Sequence, residues 1–189
     1  MSRPTASGSG EPFAVAISGS PRSPSRSKTL AELMLAALAD RGYKTRLFEL
    51  ALLPADALLA GGRSSEIDEA IAVVGKARIV VAATPTYRAL YTGLLKCFFD
   101  LMPTGHLAGK LCVSIQTGAS PIHYLAVEYG LRPLFMSLDG VPLAGVYATD
   151  SEFADGEPSA ELVARSGQAA ERASEMAGAL SPTLVRGNT

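Results

Sequence analysis

The sequence predicts a three-layer α/β fold, a doubly wound parallel sheet of five strands in the order 2-1-3-4-5. Three observations predict it. Apolar runs of strand length alternate with helical periodicities along most of the chain. The run at 78–84, Arg-Ile-Val-Val-Ala-Ala-Thr, is almost free of polar residues, as a central parallel strand covered on both faces must be. A chain of 189 residues, 48% hydrophobic and 19% charged, can also bury a core on both faces of such a sheet.

Each element follows in order. Residues 13–18, Phe-Ala-Val-Ala-Ile-Ser, form the first strand and end at Gly19. Residues 19–26 form a loop containing two prolines and several serines. The first helix opens at Ser27 or Lys28 and runs to Asp40, with Leu30, Leu33, Met34, Ala37 and Leu38 on one face and Gly42 placed as its C-terminal cap. Residues 44–50 form the second strand. Residues 51–63 read as a loop ending in Gly61-Gly62. A helix at 64–76 follows, with Ser64 and Ser65 as candidate N-caps and Glu66, Asp68 and Glu69 suited to its positive end. Beyond the third strand come a helix at 90–101, a strand at 110–116, a long helix at 122–138 and a strand at 141–148. A polar, acidic connection at 150–158 leads to an alanine-rich helix at 159–180. Residues 1–12 are expected to be a disordered lead-in, 13–180 one domain, and 181–189 a frayed tail.

Composition excludes several function classes. A formal net charge of −1 provides no general field for nucleic acid or an anionic membrane. No apolar run has membrane-spanning length, and the first residues lack the apolar core of a signal peptide, so the expected location is the cytoplasm. Cys97 and Cys112 are far apart in apolar surroundings and read as reduced core thiols. His106 and His123 are isolated, and no metal site is expected.

In a sheet of this order, ligands sit outside the carboxyl ends of the strands, at the switch point between strands 1 and 3. The loops after strands 1, 3 and 4 should therefore build the site. The first, residues 19–29, holds Ser20, Arg22, Ser25, Arg26, Ser27, Lys28 and Thr29 and no carboxylate. A loop entering a helix N-terminus offers unpaired N–H groups and a positive dipole end; hydroxyls and guanidinium groups add donors suited to a phosphate. GxxxxGK[ST] and a GxGxxG after the strand are absent, which disfavours a nucleoside triphosphatase and a dinucleotide-binding Rossmann domain. The alternative is a solvated turn capped by serines. The second loop holds Pro85, Thr86, Tyr87 and Arg88. Tyr87 either stacks on a planar ring or packs on the next helix, and Arg88 either pairs with a second anion or is a surface charge. In the third loop, Thr117-Gly118 would let the backbone approach a ligand closely.

Three runs carry a family resemblance: GSPRSPSRS at 19–27, TPTYRALYTGLLKCFFDLMP at 84–103 and HYLAVEYGLRPLFMSL at 123–138. In these the chain resembles the NAD(P)H-dependent FMN reductases of the flavodoxin-like superfamily, in particular the branch serving alkanesulfonate desulfurisation. The resemblance spans about 13–148. It implies a flavodoxin-like fold, FMN as cofactor and NADPH or NADH as co-substrate. It implies that Ser20, Arg22, Ser27 and either Ser25 or Lys28 hold the FMN phosphate. Pro85, Thr86, Tyr87 and Arg88 would line the isoalloxazine ring, with Thr117 and Gly118 at its pyrimidine side, and Arg88 is a candidate for the phosphate of NADPH. It further implies a π-bulge at Tyr129, a homodimer or homotetramer, and a flavin-dependent monooxygenase as recipient of reduced FMN. No catalytic acid or base is expected, because the cofactors carry the hydride chemistry. Weaker alternatives are a quinone or azo-type flavoprotein reductase and a flavodoxin-like electron carrier without reductase activity.

Overall fold

The computed structural model describes residues 11–60 and 64–180. The expected lead-in up to residue 10, the turn at Gly61-Gly62 and the tail 181–189 lie outside the described residues.

Strands β1 (Phe13–Ser18), β2 (Lys44–Glu49), β3 (Ile79–Pro85) and β4 (Leu111–Gly118) pair in parallel in the order β2-β1-β3-β4. The fifth position is shared by two segments. β5 (Val141–Pro142) pairs with the start of β4, and β6 (Val146–Thr149) with its end. The flavodoxin-like order predicted from the alternation is therefore present, but the single strand expected at 141–148 is interrupted. Pro142 has no N–H to continue the ladder. The chain then passes so close to β4 that a Cβ on Gly145 would meet Ser114 Oγ and Val127 Cγ1, each at 2.5 Å.

The strands alternate between two cores. Val15, Ile17, Val80 and Ala82 face one side, against α3 (Ser65–Lys76), α4 (Gly93–Asp100) and α5 (Arg132–Met136). Ala14, Ala16, Val81 and Ala83 face the other, against α1 (Arg26–Ala39) and α6 (Ala160–Ala179). The small alanines on the second side let α1 lie close to the sheet. On the first side Phe98, Phe99 and Phe135 fill the larger space, Phe99 and Phe135 with ring centroids 6.0 Å apart.

Four further expectations change. A short helix, α2 (Ala55–Ala60), occupies part of the expected loop at 51–63; it buries Ala57 and Leu58 in the first core. α4 begins at Gly93 rather than Leu90, because Thr92 caps it: the Thr92 hydroxyl accepts from Leu95 N at 3.2 Å. The long helix expected at 122–138 is instead a 3₁₀ turn at Pro121–Tyr124, a π-helical turn at Val127–Leu131 and α5. Pro133 removes one backbone donor from this run, which favours a widened turn ahead of it. The connection at 150–158 holds a 3₁₀ turn (Asp150–Glu152) and a small hairpin of β7 (Phe153–Ala154) and β8 (Glu157–Pro158). No described helix is long and apolar enough to cross a membrane.

Candidate functional site

The carboxyl ends of β1, β3, β4 and β6 open into a cleft of about 500 Å³. Its wall on the β1 side is the loop to α1. Gly19 N donates to Ala83 O at 2.8 Å, which holds the loop's start against β3. A Cβ on Gly19 would meet Leu95 Cβ at 2.7 Å, so α4 packs onto bare backbone there. The nearly buried Ser20 hydroxyl folds back locally, donating to Arg22 O at 3.1 Å and accepting from Arg22 N at 3.2 Å. Ser25 is the N-cap of α1, accepting from Lys28 N at 3.4 Å, and α1 has no acidic residue in its first turn. The positive end of the helix therefore faces the cleft without an internal counter-charge.

The second and third loops are joined by backbone. Thr86 N donates to Thr117 O at 2.6 Å, and the Gln116 side-chain amide donates to Thr86 Oγ1 at 3.0 Å. Gly118 closes the floor. A Cβ there would meet Tyr147 Oη at 2.5 Å and Thr86 Oγ1 at 3.1 Å. Tyr147 donates to Ser120 O at 2.7 Å, and burial pushes its phenol above the ordinary range, so it is a neutral donor. Beyond Thr86 the chain makes a two-residue turn. Tyr87 and Leu90 exchange backbone hydrogen bonds of 2.9 and 3.2 Å, with Arg88 at φ 51° and Ala89 at φ 66°. Both turn residues have left-handed backbones that usually call for Asn-Gly. This turn leaves the Tyr87 ring on the cleft wall, 42% exposed.

Of the residues predicted from sequence, Ser20, Arg22, Ser25, Pro85, Thr86, Tyr87, Thr117 and Gly118 line this one cleft. Three others do not. Ser27 is fully buried beneath the loop, its hydroxyl 3.1 Å from that of Ser25, which it supports from behind. Lys28 turns away to Glu49 Oε1 at 2.7 Å; that hydrogen bond raises its pKa and keeps it charged. Arg88 stands exposed at the tip of the turn, outside the lining. The cleft also includes Pro24, Arg26, Thr29, Ala119, Asp150 and Gly156. Arg26 and Thr29 belong to the run already noted for its phosphate-binding character. Asp150 and Gly156 come from the segment after β6, which was read only as a connection. The rule that ligands bind beyond the strand ends applies to that segment too.

The donor set suits a phosphate and the rest suits a flat ring. Arg22 and Arg26 flank hydroxyls and a helix N-terminus, while Pro85, Tyr87 and the unsubstituted Gly118 offer apolar and aromatic surface with close backbone approach. Comparison with known proteins supplies the family. The family model described as NADPH-dependent FMN reductase matches residues 14–155. The chain belongs to this family. It is similar to an FMN reductase (NADPH) of Pseudomonas putida, 38% identical over 79% of this chain and 78% of that one. It is also similar to the NADH-dependent FMN reductase SfnF of Pseudomonas fluorescens, 37% identical over 90% of this chain and 95% of that one. Among solved structures, an apo NADH:FMN oxidoreductase (EMOB) superposes with a TM-score of 0.84 at 33% identity, covering 92% of this chain and 93% of that chain. The branch of FMN reductases expected from the sequence runs is thus the one in which relatives are found.

Proposed function

We propose that this chain uses NADPH or NADH to reduce FMN in the cleft between β1, β3, β4 and β6, and that the reduced flavin leaves for a partner monooxygenase. The observation carrying this reading is the convergence of a carboxylate-free, arginine-bearing helix N-terminus and an aromatic, glycine-floored wall on one cleft. In this reading, Arg22, Arg26, Ser20 and Ser25 hold the phosphate, with the N–H groups of the first turn of α1. Pro85, Thr86 and Tyr87 lie along the ring, and Thr117 and Gly118 border its polar edge. Bound FMN supplies the hydride-accepting ring; the protein's part is orientation and electrostatics.

The lining contains one carboxylate, Asp150, which is engaged with Arg26 at 2.9 Å. No step in this reading asks a side chain to remove a proton. Tyr87 excludes water from one side, and the neutral Tyr147 phenol holds the Ser120 loop in place behind Gly118. Arg88, beside Tyr87, is positioned to meet the phosphate of NADPH entering over that wall. Residues 13–180 act as one domain in the cytoplasm. Self-association uses the segment from Pro121 to Met136, where Tyr129 is 76% exposed and Ile122, Leu125 and Met136 are also exposed.

The experiment is nicotinamide oxidation by flavin-stripped protein, with and without added FMN, using NADPH and NADH in turn. Oxidation that requires added FMN supports the reading. Absence of oxidation with either nicotinamide, despite FMN binding, overturns it.

A further inference from the structure

The cleft brings its own anion. Asp150, in the first turn after β6, places Oδ1 2.9 Å from Arg26 Nη1, although the two residues are more than a hundred positions apart, and both line the cleft. The Arg26 guanidinium also lies over the Phe153 ring, 5.6 Å from its centroid. Two contacts from the same segment therefore hold one arginine, one by charge and one by stacking. Neighbouring Glu152 does not share this task. Its carboxylate is taken by Arg165 at 2.8 Å and by Thr149 N at 2.7 Å.

Resting on the FMN reading, we propose that Asp150 is a resident counter-anion that competes with the flavin phosphate for Arg26 and so sets how loosely FMN is held. A phosphate monoester carries about −1.5 to −2 charge near neutral pH. To bind Arg26 it must either displace Asp150 or accept a like charge beside it, and both options weaken binding. Phe153 keeps the guanidinium in place when Asp150 lets go. Removing the carboxylate should therefore free a prepared arginine rather than a mobile one. Riboflavin has the same ring but no phosphate, and is indifferent to this competition. Asp150 thus lowers the enzyme's preference for FMN over riboflavin, which suits a flavin that must leave.

The test is a flavin titration of the full chain, followed by flavin fluorescence, with Asp150→Asn, Arg26→Ala and the double variant. Asp150→Asn is expected to tighten FMN about two- to fivefold, the scale of a half-exposed ion pair. It should leave riboflavin affinity unchanged, which also reports an intact ring site. In the Arg26→Ala background the same change should have no effect on FMN. Weaker FMN binding in Asp150→Asn would overturn the proposal and make Asp150 an aligning group. Equal tightening in the Arg26→Ala background would overturn it in favour of charge alone. Failure of the unaltered protein to bind FMN would overturn the FMN reading itself, a result distinct from either.

Discussion

The Thr92 hydroxyl donates to the Gly19 carbonyl at 2.6 Å, tying the start of α4 to the end of β1 across 73 positions of sequence. The same hydroxyl caps α4 by accepting from Leu95 N, and Thr92 N donates to the buried Thr84 hydroxyl at 3.1 Å. One buried threonine thus fixes the spacing between the loop after β1 and the loop after β3. Thr92→Val keeps the shape but leaves a carbonyl and a helix amide without partners. We expect a loss of about 2–3 kcal/mol from the buried groups and the lost cap together. Denaturant unfolding should detect it as a lower midpoint, with FMN affinity falling in the same variant.

Arg22 lines the cleft and, among the described residues, forms no ion pair with a carboxylate. Its value should appear only when phosphate is present. Arg22→Ala is expected to raise the FMN KM by about 10- to 100-fold, the scale of a lost charge-assisted hydrogen bond. The kcat at saturating FMN and the binding of riboflavin should stay near their original values. Steady-state kinetics with both flavins would check this, and an equal loss with riboflavin would remove Arg22 from the phosphate site.

Gly118 lacks a Cβ where one would sit 2.5 Å from Tyr147 Oη. Gly118→Ala must push the phenol away from Ser120 O or displace the Thr117–Gly118 backbone. Weaker flavin binding and lower stability are expected. Combining it with Tyr147→Phe removes the clashing oxygen and should restore part of the flavin affinity. A titration of the single and double variants decides between this clash and a simple loss of backbone flexibility.

Ala89 holds a left-handed backbone at φ 66°, which costs an L residue about 1–2 kcal/mol. Glycine removes that strain at some expense in chain entropy. Ala89→Gly should therefore stabilise the protein by about 0.5–1 kcal/mol. Thermal unfolding should move up by about 2 °C. No rise in the midpoint would mean that the turn gains more from its methyl group than it loses in strain.

Burial pushes the Cys112 thiol up to about 12, from an ordinary value of 9.0. The native state therefore keeps this proton at pH values where the unfolded chain releases it. That difference favours unfolding as pH rises above about 9, so this contribution is complete below that pH and declines between there and about 12. Unfolding midpoints in that range should fall less steeply in Cys112→Ala. In native protein at mildly alkaline pH, a thiol reagent should label the partly exposed Cys97 and spare Cys112 until denaturant is added.

Much of this molecule is written locally. The strand runs at 13–18 and 79–85 are almost wholly apolar, with Ser18 and Thr84 only near their carboxyl ends, because both faces are covered, and that property is visible without coordinates. The position of the cleft follows from the strand order, and Ser20, Arg22 and Ser25 in its lining could be chosen by residue type alone. Ser64 capping α3 was equally legible, since its hydroxyl accepts from Ile67 N at 3.4 Å. By itself, then, the sequence determined the layers, the strand order, the loop that lines the cleft after β1 and the family runs. These depend on periodicity, residue type and short spacing, which neighbouring residues impose on one another.

Only the tertiary structure decided the rest. Ser27 and Lys28 carry the same donors as Ser25, yet one is buried beneath the loop and the other is drawn to Glu49; which way a helix residue points depends on what packs beside it. The break in the fifth strand arises where Pro142 removes a single backbone donor, and its consequence depends on neighbouring segments, whereas the π-helical turn at Tyr129 was already implied by the family runs. The meeting of Arg26 with Asp150 is a contact across the whole α/β unit. No pattern of nearby residues encodes such a contact, because it exists only once the segment after β6 folds back over the N-terminus of α1.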